Sequence, residues 1–469
     1  MPMRTQTRTD HQRGKPELFK TELDKPTGDR FFVREGVDPL TSAFEKKITV
    51  HAGFRGHPVP DTARNHTMEQ LLSRPRQKQS AIYIHVPFCE THCLYCGFYN
   101  RAYGRNESVR FTDTLLREID LWQAHAAVNQ GSVRAVYIGG GTPTALEPHD
   151  LERLLKTVTT RFPLANDCEI TVEGRIHNFI PEKMDACLAG GANRFSIGVQ
   201  TFHTDLRQSM RRIADRDRII AFLGELKAYG RAVVVIDLIY GFPGQTMEMW
   251  RRDIDDFLSL DLDGLDLYQL NLFPSSPLAR AIEKGTFPAA AGLPFQAKLF
   301  AEGVRRLEAA RYRRLSVGHW GRTTRERNIY NHLMKGPSDC LGYGPGAGGC
   351  LNGHHYFVES DLDTWRTVVD MNKKPLAILM SPSPMAELDK TIAAGFDLGR
   401  INLKQTGLAF PGSAETILAP LIEQWQRAGL IQMDGDWLEL TMAGQFWQVN
   451  LAQLMIDFLH RNMKKEQMK

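Results

Sequence analysis

Several features are scarce in this chain. No apolar run approaches the roughly 20 residues that cross a bilayer, and the opening "MPMRTQTRTDHQRGKPELFK" has no apolar core of the kind a secretory leader carries. The expectation is a soluble protein of the cytoplasm with no membrane partner. An excess of one charge is also lacking: 58 basic residues face 54 acidic ones in 469 positions, a formal net charge of +4. Without a strong basic field no nucleic-acid partner is expected, although a local anionic ligand is compatible. Cysteine is sparse as well. Of seven thiols, Cys89, Cys93 and Cys96 fall within eight residues while Cys168, Cys187, Cys340 and Cys350 are scattered, which is no disulfide framework. Reduced, metal-binding thiols fit better.

What the chain does have is a 42% hydrophobic content, ample for a buried core over two or three domains. Residues 1–78 are polar and aperiodic, and read as a loosely ordered extension in which "HAGFRGHPVP" could still cover a site. From residue 79 to about 310, β-branched runs alternate with helical periods. The strand candidates are "AIYIHV", "RAVYIGG", "CEITVEG", "RFSIGVQ", "AVVVIDLIYG" and "GLDLYQLNLF". Between the first two, Phe111, Leu115, Ile119 and Trp122 make one apolar helical stripe. Alternation of this kind predicts an α/β fold with parallel strands, doubly wound or barrel-like, whose ligands gather at the C-terminal strand ends. Residues 311–384 begin with a further (βα)-like piece, "YRRLSVGHW", and contain the Gly-rich "CLGYGPGAGGCLNG". Residues 385–469 read as a small helical domain with a β-wing turning at Asp434–Gly435.

Cys89-x3-Cys93-x2-Cys96 directly follows the first strand. Three thiols would leave one iron of a four-iron cluster with an open coordination position, which is a place for chemistry. A zinc site completed by His85 or His92 is the competing reading, but structural zinc usually draws its ligands from two separated segments. This spacing, with Tyr95 just before the last cysteine, resembles the signature of radical S-adenosylmethionine (SAM) enzymes. The resemblance implies a [4Fe–4S] cluster whose open iron is chelated by SAM, and reductive cleavage of SAM to a 5'-deoxyadenosyl radical. It also implies a partial (βα)6 barrel related to the TIM barrel.

Further segments extend the likeness. "IGGGTPT" follows the second strand, with Gly139, Gly140, Gly141 and Thr142; alone it could be a plain strand-to-helix turn, but SAM-amino-group motifs lie there in the family. Glu173, Gln200 and Asp237 end three consecutive apolar strands, and polar groups so placed need partners. These segments resemble the coproporphyrinogen-dehydrogenase-like branch, which implies that Tyr83, Gly140, Gly141, Thr142, Glu173, Gln200, Arg212 and Asp237 contact SAM. Arg212 suits a carboxylate through its planar fork.

Three groups share that plan. The oxygen-independent decarboxylases carry a fourth cysteine where this chain has Phe98. Heme chaperones of the branch carry an acidic residue where it has Gly97. "CLYCGFYN", "DPLTSAF" and "HAGFRGHPVP" look most like the anaerobic heme-degrading methyltransferases, the anaerobilin synthases. That likeness implies two SAM molecules, with Asn271 in "LNLFPSSPLAR" at the second. One would yield the radical, and the other would donate a methylene group that opens the heme macrocycle to a methylated linear tetrapyrrole and frees the iron. It further implies a heme substrate, an electron donor such as a flavodoxin or flavin reductase, and a monomer. For heme, "RYRRLSVGHWGRTTRER" offers six arginines within seventeen residues as propionate partners or as a solvated face. His319, His332, His354 and His355 are axial-ligand candidates that the sequence does not separate.

Overall fold

The computed structural model describes residues 31–48, 52, 56–97, 101–104, 106–404 and 414–467; Phe98 lies outside them. The β-branched runs become six parallel strands: β1 Ser80–Val86, β2 Val133–Gly140, β3 Leu164–Gly174, β4 Arg194–Gln200, β5 Val233–Tyr240 and β6 Gly264–Gln269. Each pairs with the next in chain order. That order follows from the helical return legs, α1 Glu107–Gln123, α2 Pro148–Arg161, α3 Pro181–Ala189, α4 Arg216–Ala228 and α5 Met247–Leu260. A parallel partner cannot be reached by a tight turn, so each strand needs a crossover.

The two faces of this sheet differ in chemistry. Ile82, Ile84, Val136, Ile138, Val172, Phe195, Ile197, Ile236 and Leu265 join the buried stripes of the helices, including Phe111, Leu115, Ile119 and Trp122, in one core. Strand periodicity of two turns the alternate residues inward. There Tyr83 stands beside Tyr137, Glu173 beside Ser196, and Asp237 beside Asp266. The expected mixed α/β architecture with six sequential parallel strands is present, and further strands extend both of its ends.

On the β6 side, the expected extra (βα)-like unit is replaced by a hairpin. Helix α6, Leu293–Ala309, leads to Arg313–Arg314; the chain then reverses and returns as β7, His319–Gly321, antiparallel to β6. The reversal is closed by Leu315 N–H donating to His319 O at 2.8 Å, so no length remains for a crossover. A buried ion pair ties β4 to the segment after this hairpin, with Arg194 Nε and Nη2 at 3.0 and 3.2 Å from the Glu326 carboxylate. On the β1 side, after helix α7, Ile329–Lys335, strand β8, Asp339–Tyr343, runs parallel to β1. It continues into an antiparallel meander of β9 Gly348–Leu351, β10 His354–Val358 and β11 Leu376–Pro382.

Residues 386–467 carry the helices Ala386–Asp397, Ala414–Arg427 and Gln448–Gln467 around a three-stranded sheet, Arg400–Asn402, Ile431–Asp434 and Trp437–Leu440. The described part of the N-terminal extension is packed where a loose arm is expected. Gly56–Pro58 adds a strand to β11, and the helix Asp61–Leu72 buries Met68, Leu71 and Leu72. Phe31 and Val33 are buried as well, and Val33 exchanges two hydrogen bonds with the Gln424 amide. Polar composition concealed this because few apolar anchors, widely spaced, suffice to pin a segment.

Candidate active site

The cysteine loop leaves the C-terminal end of β1 and is seated on the turn after β2. Gly141 N–H donates to Val86 O at 2.8 Å. A Cβ on Gly141 would lie 2.5 Å from Phe88 O, so only glycine allows this approach. Gly140 has φ +113, and a Cβ there would meet the His85 ring at 2.6 Å. The Gly140 N–H is taken by Glu173 Oε2 at 3.0 Å. The glycines thus seat the loop, and both of these N–H groups already have partners within the protein. Thr142 Oγ1 reaches Cys89 Sγ at 3.4 Å.

Glu173 also accepts from Tyr137 Oη at 2.7 Å. Burial pushes its carboxyl up, with the Tyr137 and Gly140 hydrogen bonds and Arg194 opposing. Asp237 is pushed up to about 8, first by burial and then by the charges of Asp266 and Glu173. It is therefore largely protonated at neutral pH and can donate a hydrogen bond. Tyr83 is partly buried, with its Oη 2.9 Å from His85 Nδ1, and its ring stacks on Tyr137. Burial lowers His85 to about 4, which keeps it neutral.

At the end of β4 the register shifts between Gly198 and Gln200. Gln200 takes φ +75, an uncommon conformation for a residue with a side chain, and its Oε1 is buried without a partner among the described residues. Arg212 is anchored on Gly198 O; its Nη1 donates to Tyr95 Oη at 3.1 Å and lies 3.6 Å from Cys93 Sγ, while its Nε has no partner among the described residues. The Tyr95 ring meets Phe242 edge-on at 5.2 Å. Cys93 is pushed up by burial, but the Arg212 and Arg175 guanidiniums more than offset this and leave the thiol below its ordinary value. A thiolate is the form that binds metal.

The candidate residues on β1 to β5 and the two loops therefore come together. Asn271 stands just beyond β6, within the segment that precedes the helix Pro277–Glu283. The three thiols themselves are not gathered into a ready triangle: among the described residues no three Cys, His, Asp or Glu side chains form a metal-holding group. The donor set nonetheless fits a cluster and SAM. Soft thiols lie on one loop, the Cys93 thiol sits below its ordinary value beside Arg212, and among the described residues the buried Gln200 Oε1 and Arg212 Nε have no partner.

The Arg-rich segment has other work. Arg325 donates to Ala232 O, Arg327 to Asp167, and Arg313 to Glu326 O, all around the N-terminal strand ends opposite the cysteine loop. His319 faces inward with Nδ1 2.6 Å from Asp266 Oδ1, and Asp266 raises its pKa against the effect of burial. His332 lies on α7, and His354 and His355 on β10, where His355 Nε2 is 4.0 Å from Cys350 Sγ. Sequence reasoning missed Arg175, Asp266 and the Glu90–His177–Asn178 contacts. The one available signal was a charged residue directly after the strand-ending "EG".

A fold of six sequential parallel strands with a three-cysteine loop after the first defines a class, and comparison with known proteins agrees. The profile of the Radical SAM superfamily matches residues 83–257. The chain belongs to the radical SAM superfamily, whose enzymes use a [4Fe–4S] cluster and SAM. Within it the chain falls in the coproporphyrinogen-oxidase-like branch. It is 41% identical over 414 residues to anaerobilin synthase from Escherichia coli O157:H7, covering 87% of this chain and 91% of that one. It is 26% identical to oxygen-independent coproporphyrinogen III oxidase of Escherichia coli K12, over 85% of this chain and 90% of that one. The solved structure of coproporphyrinogen III oxidase from Escherichia coli has the same fold, with TM-score 0.70 at 22% identity over 83% of this chain and 93% of that one.

Proposed function

We propose that this enzyme opens the heme macrocycle without oxygen, using SAM both as radical source and as methyl donor, and releases iron and a linear tetrapyrrole. The observation that carries this reading is the near end-to-end similarity to anaerobilin synthase. Cys89, Cys93 and Cys96 would hold the cluster. Tyr83, Tyr95, Gly140, Gly141, Thr142, Glu173, Gln200, Arg212 and Asp237 would hold the SAM beside it, and Asn271 would serve a second SAM. When bound, cluster and SAM supply a carbon radical by one-electron cleavage of a carbon–sulfur bond.

The chain's own part is orientation and exclusion of water. The Arg212 fork suits the SAM carboxylate, and the protonated Asp237 offers an O–H to a polar ligand group at neutral pH. An electron donor such as a flavodoxin or flavin reductase, a monomeric state and a cytoplasmic site of action belong to the same reading.

The test is anaerobic: reconstituted protein, a reductant, SAM and heme, followed by visible spectra and mass spectrometry. The expected outcome is loss of heme absorbance together with 5'-deoxyadenosine, S-adenosylhomocysteine and a methylated open tetrapyrrole, and Cys93→Ala should abolish all four. Heme that stays intact would point to a chaperone. Carbon dioxide released from coproporphyrinogen would point to a decarboxylase.

A further inference from the structure

The segment after β3 reaches back onto the cysteine loop. Arg175 Nη1 donates to Thr91 O at 2.8 Å and to Thr91 Oγ1 at 3.2 Å, and its Nη2 donates to Cys93 Sγ. Two residues on, His177 Nε2 lies 2.8 Å from Glu90 Oε2, and Asn178 Nδ2 donates to Glu90 Oε1 at 2.9 Å. The strap is itself fixed to the turn after β2. Thr144 Oγ1 donates to Asn178 Oδ1 and accepts from Arg175 N–H, each at 3.3 Å. Glu90, Thr91 and Cys93 are thus all held from one short stretch. The hydrogen-bond partner of Cys89 is the neutral Thr142, whereas Cys93 has two guanidiniums.

We propose that Arg175 is a positioning residue that sets the reduction potential of the cluster through Cys93. The inference rests on the reading of Cys89, Cys93 and Cys96 as cluster ligands. Hydrogen bonds to ligand sulfur and nearby positive charge favour the state carrying one more electron, and so raise the potential. Arg212 can lend only part of this effect, because its fork also meets Tyr95 and Gly198 and suits the SAM carboxylate. Arg175 spends its other nitrogen on Thr91, which fixes the remaining N–H on the sulfur. A higher potential lets a weaker biological reductant deliver the electron.

The experiment is a redox titration of anaerobically reconstituted full-length protein, read by electron paramagnetic resonance of the reduced cluster, with iron and sulfide counted per chain. For Arg175→Met the reduced-to-oxidised ratio at fixed ambient potential should fall about tenfold, a midpoint lower by about 59 mV for one electron. Arg175→Lys should recover part of the loss, because a point charge lacks the fork. Full iron content with an unchanged midpoint in Arg175→Met would overturn the proposal. Should that variant fail to keep its iron, Arg175→Lys and Arg175→Gln decide: a higher midpoint for lysine supports the charge effect, and equal midpoints refute it. A Cys93→Ala chain that keeps all its iron would instead remove the ligand reading beneath it.

Discussion

Asp237 illustrates how much a single inward-facing residue can impose on this molecule. It faces Asp266 on the adjacent β6 and shares the interior with Glu173 two strands away on β3, and it is pushed up to about 8 by burial and by those charges. An unfolded aspartate titrates near 3.9. Between those values the folded chain keeps a proton that the unfolded chain has lost, so stability falls as pH rises, by up to about 1.4 kcal/mol per pH unit. Stability from this group is complete below the unfolded value and lost once pH passes about 8. Urea unfolding of the cofactor-free protein between pH 5 and 8 should show that slope, and Asp237→Asn should flatten it. An equal slope in both proteins would mean that Asp237 ionises normally. The sequence reading singled out Asp237, Glu173 and Gln200 because polar residues at apolar strand ends stand out. It could not see Asp266 or the partner it finds in His319, because "GLDLYQ" reads as an ordinary alternating strand and its cross-strand neighbour lies far along the chain.

Among elements, the contact that matters most is the turn after β2 against the loop after β1. The glycine run was legible, but its main structural use was not, because close backbone approach between separate segments leaves no pattern beyond the glycine itself. Gly141→Ala would place a Cβ 2.5 Å from Phe88 O, against backbone that cannot yield cheaply. Overpacking of this kind costs about 1–3 kcal/mol, and displacement of Phe88 moves Cys89 with it. The variant should unfold at lower denaturant and take up less iron on reconstitution. Gly224 is the internal control: it lies within α4, where an added Cβ meets nothing within 4 Å. Gly224→Ala should gain about 0.5–1 kcal/mol through helix propensity and leave iron content unchanged. If both variants behaved alike, the loop seat would have no special weight. The β6-side hairpin was illegible for a different reason. "YRRLSVGHW" carries strand propensity, but direction is decided by the hydrogen bond between Leu315 and His319, which propensity does not encode.

At the scale of the whole molecule, the N-terminal segment and the C-terminal helices form one packed unit although their contacting residues lie about 400 positions apart. Trp447 Nε1 lies 3.0 Å from Pro39 O and 3.1 Å from Leu40 O, and Asn450 Nδ2 donates to Lys46 O at 2.9 Å. Phe31 meets Phe458 edge-on at 5.3 Å, and Trp425 and Trp447 are both fully buried. Removal of residues 1–48 would uncover these indoles and leave the Gln424 and Asn450 amides without their partners, each lost hydrogen bond leaving a penalty of about 1–3 kcal/mol where the group stays buried. None of these contacts involves the six strands themselves, although Pro39–Ser42 also packs against α6. The truncated chain should therefore show a red-shifted tryptophan emission and an earlier thermal transition confined to the C-terminal region. Hydrogen exchange would locate the change, with protection lost in Ala414–Arg427 and Gln448–Gln467 while β1 to β5 keep theirs. Uniform loss of protection would instead make the N-terminal segment a brace for the entire fold, and unchanged protection would leave it without a structural role.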